Sequence, residues 1–175
     1  MKNTRNLNSL AMLLMAIFFS ATVWAQDAKP KASPAATANG KVGNANVTVN
    51  YSSPSVKGRT VWGELVPYGK VWRSGANEAT TVTFDKSVMV EGKPLAAGTY
   101  SFYTIPGEDT WTVIFNNTAK QWGTQYDEKQ DALRAEVTPR KAKSMNERLK
   151  YDVTKEGLVL SWENMEVPVK ITASK

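Results

Sequence analysis

"GTYSFYTIPGEDTWTVIFN", residues 98–116, decides how this chain folds. Tyr100 and Phe102 fall on one side of an extended segment, with Tyr103 and Ile105 near the other; Trp111, Val113 and Phe115 then alternate with Thr112 and Ile114. A side-chain period of two belongs to a strand and not to a helix. Between the two runs, Pro106-Gly107-Glu108-Asp109 has turn chemistry: proline fixes φ, and the short acidic and glycine positions accept tight backbone angles. The stretch reads as two strands and their connection.

The same period recurs on both sides of it. Val47, Val49 and Tyr51 alternate with Thr48 and Asn50; Val82 with Phe84, and Val88 with Val90, repeat the pattern. Further on come Leu149, Tyr151 and Val153, then Leu158, Leu160 and Trp162, then Val167, Val169 and Ile171. Turn residues separate these runs at Glu91-Gly92-Lys93-Pro94, Lys155-Glu156-Gly157 and Glu163-Asn164. The expected fold is all-β, an antiparallel β-sandwich of roughly eight to ten strands. Pro168 has no backbone N–H, so the last strand is expected at a sheet edge or after a bend. Residues 118–129 show no alternation. They are expected to form one long covering loop, with a helical turn around residues 127–133, folded back over one end of the sandwich.

The chain of 175 residues opens with a pattern of its own. Lys2 and Arg5 precede the apolar run "LAMLLMAIFF", and small residues lead to Ala25, which is the layout of a secretory signal peptide. The run is too short for a membrane span, which takes roughly 20 apolar residues. The expected organisation is a signal peptide over residues 1–25, a flexible linker over 26–41, rich in Ala, Pro, Ser, Thr and Lys, and a single β-sandwich domain over 42–173. The protein is expected in the periplasm or secreted, with no membrane anchor once the signal is removed. Loss of the signal takes the net charge from +6 to +4, a mild bias towards anionic partners. Lys57, Arg59, Lys70 and Arg73, with Trp62, Tyr68 and Trp72 among them, read as a solvated sheet face with core aromatics, so no nucleic acid is expected.

Cysteine and histidine are both absent. That removes Ser-His-Asp and Cys-His catalysis, thiolate nucleophiles and nearly every usual zinc or copper site. Oxygen ligands for calcium or magnesium remain, but no D-x-[DN]-x-[DN]-G loop is present. No metal and no cofactor are expected.

Two polar clusters stand out. In "VWRSGANEATTVTF", residues 71–84, Trp72, Arg73, Asn77 and Glu78 surround the small turn Ser74-Gly75-Ala76. Arg73 offers a rigid donor fork, Glu78 a charged acceptor and Asn77 both kinds of group. Tyr51, Arg59, Trp72 and Trp122 are candidate walls for such a ligand site, with Trp62 a further platform; a glycan ring stacked on an indole, or another envelope component, is the expected partner. The more economical reading is structural: Asn77 caps the turn, and Arg73 and Glu78 pair at the rim of the core. The second cluster is Asp127, Glu128, Asp131 and Arg134, after Trp122 and Tyr126. Asp127 and Asp131 would share a face in a helix, and solvated acids on a capping loop are the simpler account. Ser52, Ser53, Ser55 and Lys57 lack the partner motifs of a Ser-Lys hydrolase. Trp111 and Trp162 fall on apolar strand faces and belong to the core.

The stretches "YSSPSVKGR", "WGELVPYGKVWRSGANEAT", "LAAGTYSFYTIPG", "WTVIFN" and "QWG…YDEKQDALR" closely resemble the exported bacterial family called domain of unknown function 2911. The resemblance implies one secreted or periplasmic β-rich domain and no assigned activity. The residues themselves favour a non-catalytic envelope or secreted module for ligand binding or interaction. One rival is a carboxylate-dependent hydrolase acting on glycans, with Glu78 and Asp127 as acid and base. Another is a purely structural envelope protein whose apolar-aromatic loops form an assembly surface.

Overall fold

The computed structural model describes residues 31–174. The expected signal peptide lies outside the described residues. Ten strands follow one another: β1 (Ala35–Val42), β2 (Ala45–Ser52), β3 (Thr80–Phe84), β4 (Val88–Val90), β5 (Lys93–Leu95), β6 (Gly98–Ile105), β7 (Trp111–Asn116), β8 (Asp131–Val137), β9 (Arg140–Thr154) and β10 (Gly157–Ala173). They form two antiparallel sheets, one of six strands in the order β1-β2-β3-β6-β7-β8 and one of four in the order β5-β4-β10-β9. The deciding stretch becomes β6 and β7, with Phe102 opposite Phe115 and Tyr103 opposite Ile114. The molecule is an all-β sandwich, as its period of two requires.

Alternation sorts the side chains into layers. Val47, Val49, Val82, Phe84, Phe102, Val113 and Phe115 of the larger sheet join Val88, Val90, Leu149, Leu158, Leu160 and Ile171 of the smaller in one buried core. Tyr103 and Ile114, one position out of phase, are equally buried but belong to a second small core with Ala79. Residues 117–127 close that second core, and the Tyr126 ring lies 5.0 Å from that of Tyr103. The covering loop therefore lies over the outer face of β6 and β7 and not over one end. The apolar outer face of these strands draws it there, because leaving Tyr103 and Ile114 wet would forfeit about 2 kcal/mol apiece. The helical turn is a single 3₁₀ turn, Glu128–Gln130, and β8 starts straight after it.

A second covering segment, residues 53–79, enters the main core. It carries Val56, Val61 and Val66 into the interior, and it places Trp62 and Trp72 against Trp111 of β7 and Trp162 of β10. The Trp62 ring stands edge-on to Trp111 at 5.0 Å, and Trp72 stacks on Trp162 at 5.8 Å with 15° between planes. Trp62 and Trp72 are thus half-buried members of the core, not surface platforms. The indole N–H groups of Trp62, Trp111 and Trp162 have no hydrogen-bond acceptor. Edge-to-face packing lets the positive rim of one ring meet the π face of the next.

Two expectations about the chain ends change. Residues 35–41 belong to the expected linker, yet with Val42 they form β1, registered with β2 from Ala35 opposite Ser52 to Val42 opposite Ala45. Before the buried Val42 at its end, the sheltered positions of β1 hold only Ala36, Ala38 and Gly40, so no hydrophobic alternation announces it. β10 is likewise not an edge strand: it lies between β4 and β9. Pro168 falls in the interval between Glu166, the last residue registered with β9, and Ile171, the first registered with β4. A residue without a donor is tolerated where the strand changes partners.

The buried phenols give the fold a pH limit. Burial pushes Tyr100, Tyr103 and Tyr151 above the usual tyrosine value, and burial plus the bond to Asp131 takes Tyr126 up to about 12. A phenol whose folded pKa is raised contributes stability that is fully present below about pH 10 and is lost as pH climbs through the raised value. We expect urea stability to fall steeply above about pH 10, with tyrosinate absorbance from these four phenols appearing together with loss of the native circular dichroism. Full ionisation of all tyrosines in a still-native protein would contradict this packing.

Candidate functional site

The turn before β3 is fixed from beneath. Trp72 pairs with Thr104 of β6 through backbone bonds of 2.7 and 2.9 Å. The Ser74 hydroxyl donates to Thr104 Oγ1 at 3.0 Å, and the Ser74 carbonyl accepts from Thr80 Oγ1 at 3.0 Å and from the Tyr151 hydroxyl at 2.6 Å. One buried serine is thereby gripped from both sheets. Ser74 and Asn77 both adopt left-handed backbone angles, with φ of 51° and 58°. Such angles cost about 1 kcal/mol or more outside glycine and persist where surrounding contacts over-determine them.

The covering loop docks on the upper side of this turn. Ala79 N–H donates to the Gln121 carbonyl and Gly123 N–H to the Asn77 carbonyl, each at 3.1 Å, so that Trp122 lies opposite Glu78. Gly123 is required here: a Cβ would stand 2.1 Å from Cδ of Arg73 and 2.7 Å from the Asn77 carbonyl oxygen. Arg73 is thus laid beneath the loop, while Trp122 rides on top with half its surface, 50 %, in solvent.

Arg73 and Glu78 do not form the ion pair that a structural role would give them. Glu78 is exposed and takes a hydrogen bond from Lys31 Nζ at 2.9 Å, which holds its carboxyl below the usual carboxylate range. Nor does Asn77 cap its own turn, since its side-chain Nδ2 donates to the Ser33 carbonyl at 3.3 Å. The half-buried Arg73 is left without a partner. Its Nε is sealed from solvent with no acceptor, and no hydrogen bond or ion pair among the described residues engages its guanidinium.

The other candidates have separate tasks. Tyr51 packs edge-on against Tyr151 with ring centroids 4.8 Å apart. Arg59 ties its own turn by donating to the carbonyls of Val56 and Ser55. It also lines, with Trp62, Tyr68 and Glu163, a cleft of about 480 Å³. A larger cleft of about 1040 Å³ opens beside the β9–β10 turn, between Glu136 and Lys170. Neither cleft is lined by Glu78 or Asp127.

The acidic cluster is a brace. Asp127 caps the 3₁₀ turn by accepting from Lys129 N–H at 3.0 Å. Asp131 accepts from Asn116 Nδ2 at 2.8 Å, the Tyr126 hydroxyl at 2.7 Å and Arg134 Nε at 2.6 Å, and Arg134 also reaches Glu128 at 3.1 Å. Because residue 131 begins a strand, Asp127 and Asp131 never share a helical face. Among the described residues no three acidic side chains converge to hold a metal ion.

Sequence reasoning missed Lys31, which lay inside the expected linker, and Gly123, whose adjacency to Trp122 was its one visible signal. These features together define an all-β sandwich with a polar, aromatic-capped surface turn, Arg73 to Glu78, held between its two sheets and a docked loop. A family model described as "Protein of unknown function (DUF2911)" matches residues 33–171, and the chain belongs to that family. No curated protein and no solved structure matches it.

Proposed function

We propose that this chain is an exported, non-catalytic binding module and that Arg73, Asn77, Glu78 and Trp122 form its ligand site. The observation that carries the reading is the half-buried Arg73, whose Nε is sealed from solvent without an acceptor. An N–H taken out of water and left unbonded costs about 1–3 kcal/mol, and folding alone gives no reason to keep it. Trp122 supports the same surface: its exposed indole is held by a loop pinned at both sides of it, so it is a rigid platform already in place. Glu78 and Asp127, the acid and base of the hydrolase alternative, are occupied separately by Lys31 and by the cap of the 3₁₀ turn. Export rests on the leader pattern of residues 1–25; N-terminal sequencing of exported protein is expected to begin at Gln26, and a start at Met1 would overturn it.

Trp122→Ala tests the site. Its urea midpoint is expected to stay within about 0.5 kcal/mol of wild type, because the side chain is half in solvent. On a glycan array its signal is expected to fall about fivefold, since stacking on one aromatic is worth about 1 kcal/mol. An array signal unaffected by the substitution would place the binding surface elsewhere.

A further inference from the structure

We propose, resting on the ligand-site reading above, that the ligand is an acidic saccharide whose carboxylate is taken by Arg73 while its ring lies on Trp122. Three observations select this class. Arg73 is half-buried and no ion pair among the described residues takes its charge, and the planar fork of donors on a guanidinium matches a carboxylate in two parallel bonds. The local charge then fixes how much negative charge fits. Arg73 and Lys31 are positive and Glu78 is negative, which leaves one uncompensated positive charge on this surface. One carboxylate neutralises it, whereas a phosphate monoester, with a charge near −2, over-neutralises it and meets Glu78.

The remaining groups favour hydroxyls over an apolar acid. The Glu78 carboxylate, held by Lys31 at Oε1, is exposed and has room for further donors, and no donor reaches the side-chain oxygen of Asn77 among the described residues. Both are acceptors, and the partners of acceptors are O–H or N–H groups. Trp122 offers a flat apolar face beside them, held adjacent to Arg73 because Gly123 packs on the arginine stem. A ring with one apolar face, several hydroxyls and one carboxylate satisfies every group present.

The test is an array of uronic-acid, sialic-acid and muramic-acid oligosaccharides, each printed beside its carboxyl-reduced counterpart and probed with residues 26–175. At least one acidic glycan is expected to bind about tenfold more strongly than its reduced counterpart, as a charge-assisted bidentate contact requires. Arg73→Gln is expected to remove that difference. Arg73→Lys, which keeps the charge but not the fork, is expected to recover only part of it. Equal binding of acid and reduced forms, still lost in Trp122→Ala, would overturn the acidic class and leave the ligand site standing. Absence of any Trp122-dependent signal would overturn both, and the folded state of each variant is checked by its near-ultraviolet circular dichroism.

Discussion

Trp111→Ala is expected to lower the unfolding free energy by about 3–5 kcal/mol, the range for deleting a large buried aromatic. The side chain is fully buried on β7, and its ring makes edge contacts with Trp62 at 5.0 Å and Trp72 at 6.5 Å. Its N–H has no acceptor, so the loss comes from packing and burial and not from a broken hydrogen bond. Both contacted indoles sit on residues 53–79, the segment that has no ladder of its own and depends on such anchors. The variant is therefore expected to be cut by protease within that segment before global unfolding, as well as to show a lower urea midpoint at an unchanged m-value. A loss below about 1 kcal/mol would mean that the tryptophan cluster is not what joins this segment to the sandwich.

Gly157→Ala is expected to be at least as damaging for its size, about 3 kcal/mol or more. β10 passes through register shifts on either side of Glu163, and it bends until Ile171 N–H donates to the Glu156 carbonyl at 3.0 Å. Gly157 lies under that return. A Cβ there would stand 2.1 Å from the Val169 carbonyl oxygen and 2.6 Å from Ile171 N, and φ is +138°. Both obstacles are backbone atoms, so no side chain can swing aside to relieve them. Urea denaturation of the variant checks this; a stability within about 0.5 kcal/mol of wild type would show that the return of β10 is not tightly packed.

Most of the fold was legible because large side chains mark its period. Val82, Phe84, Phe102, Val113, Phe115, Leu158 and Leu160 all lie on the buried face that alternation assigns them. Where the side chains are small the signal fails, and β1, with Ala36, Ala38 and Gly40 at its sheltered positions, read as linker. The tryptophans were legible by strand only. Trp111 and Trp162 lie in alternating runs and were placed correctly, but Trp62 and Trp72 lie in irregular chain, where nothing local tells core from surface. The candidate site shows the same limit. Its residues are adjacent in sequence and easily named, but their partners are not: Lys31 reaches Glu78 across 47 positions, and Gly123 meets Arg73 through a loop docked from elsewhere. Pairing of Arg73 with Glu78 was the natural expectation from proximity, and a distant lysine had already taken the carboxylate.

The central claim is that Arg73 is kept for a ligand and not for folding. Arg73→Met tests it most directly, because methionine retains an unbranched apolar stem beneath Gly123 and removes only the unpartnered charge. We predict a urea midpoint equal to or above that of wild type, the behaviour of a buried N–H whose lost water costs stability and whose value lies in function. A loss of about 2 kcal/mol or more would contradict the account and make the turn from Arg73 to Glu78 part of the scaffold.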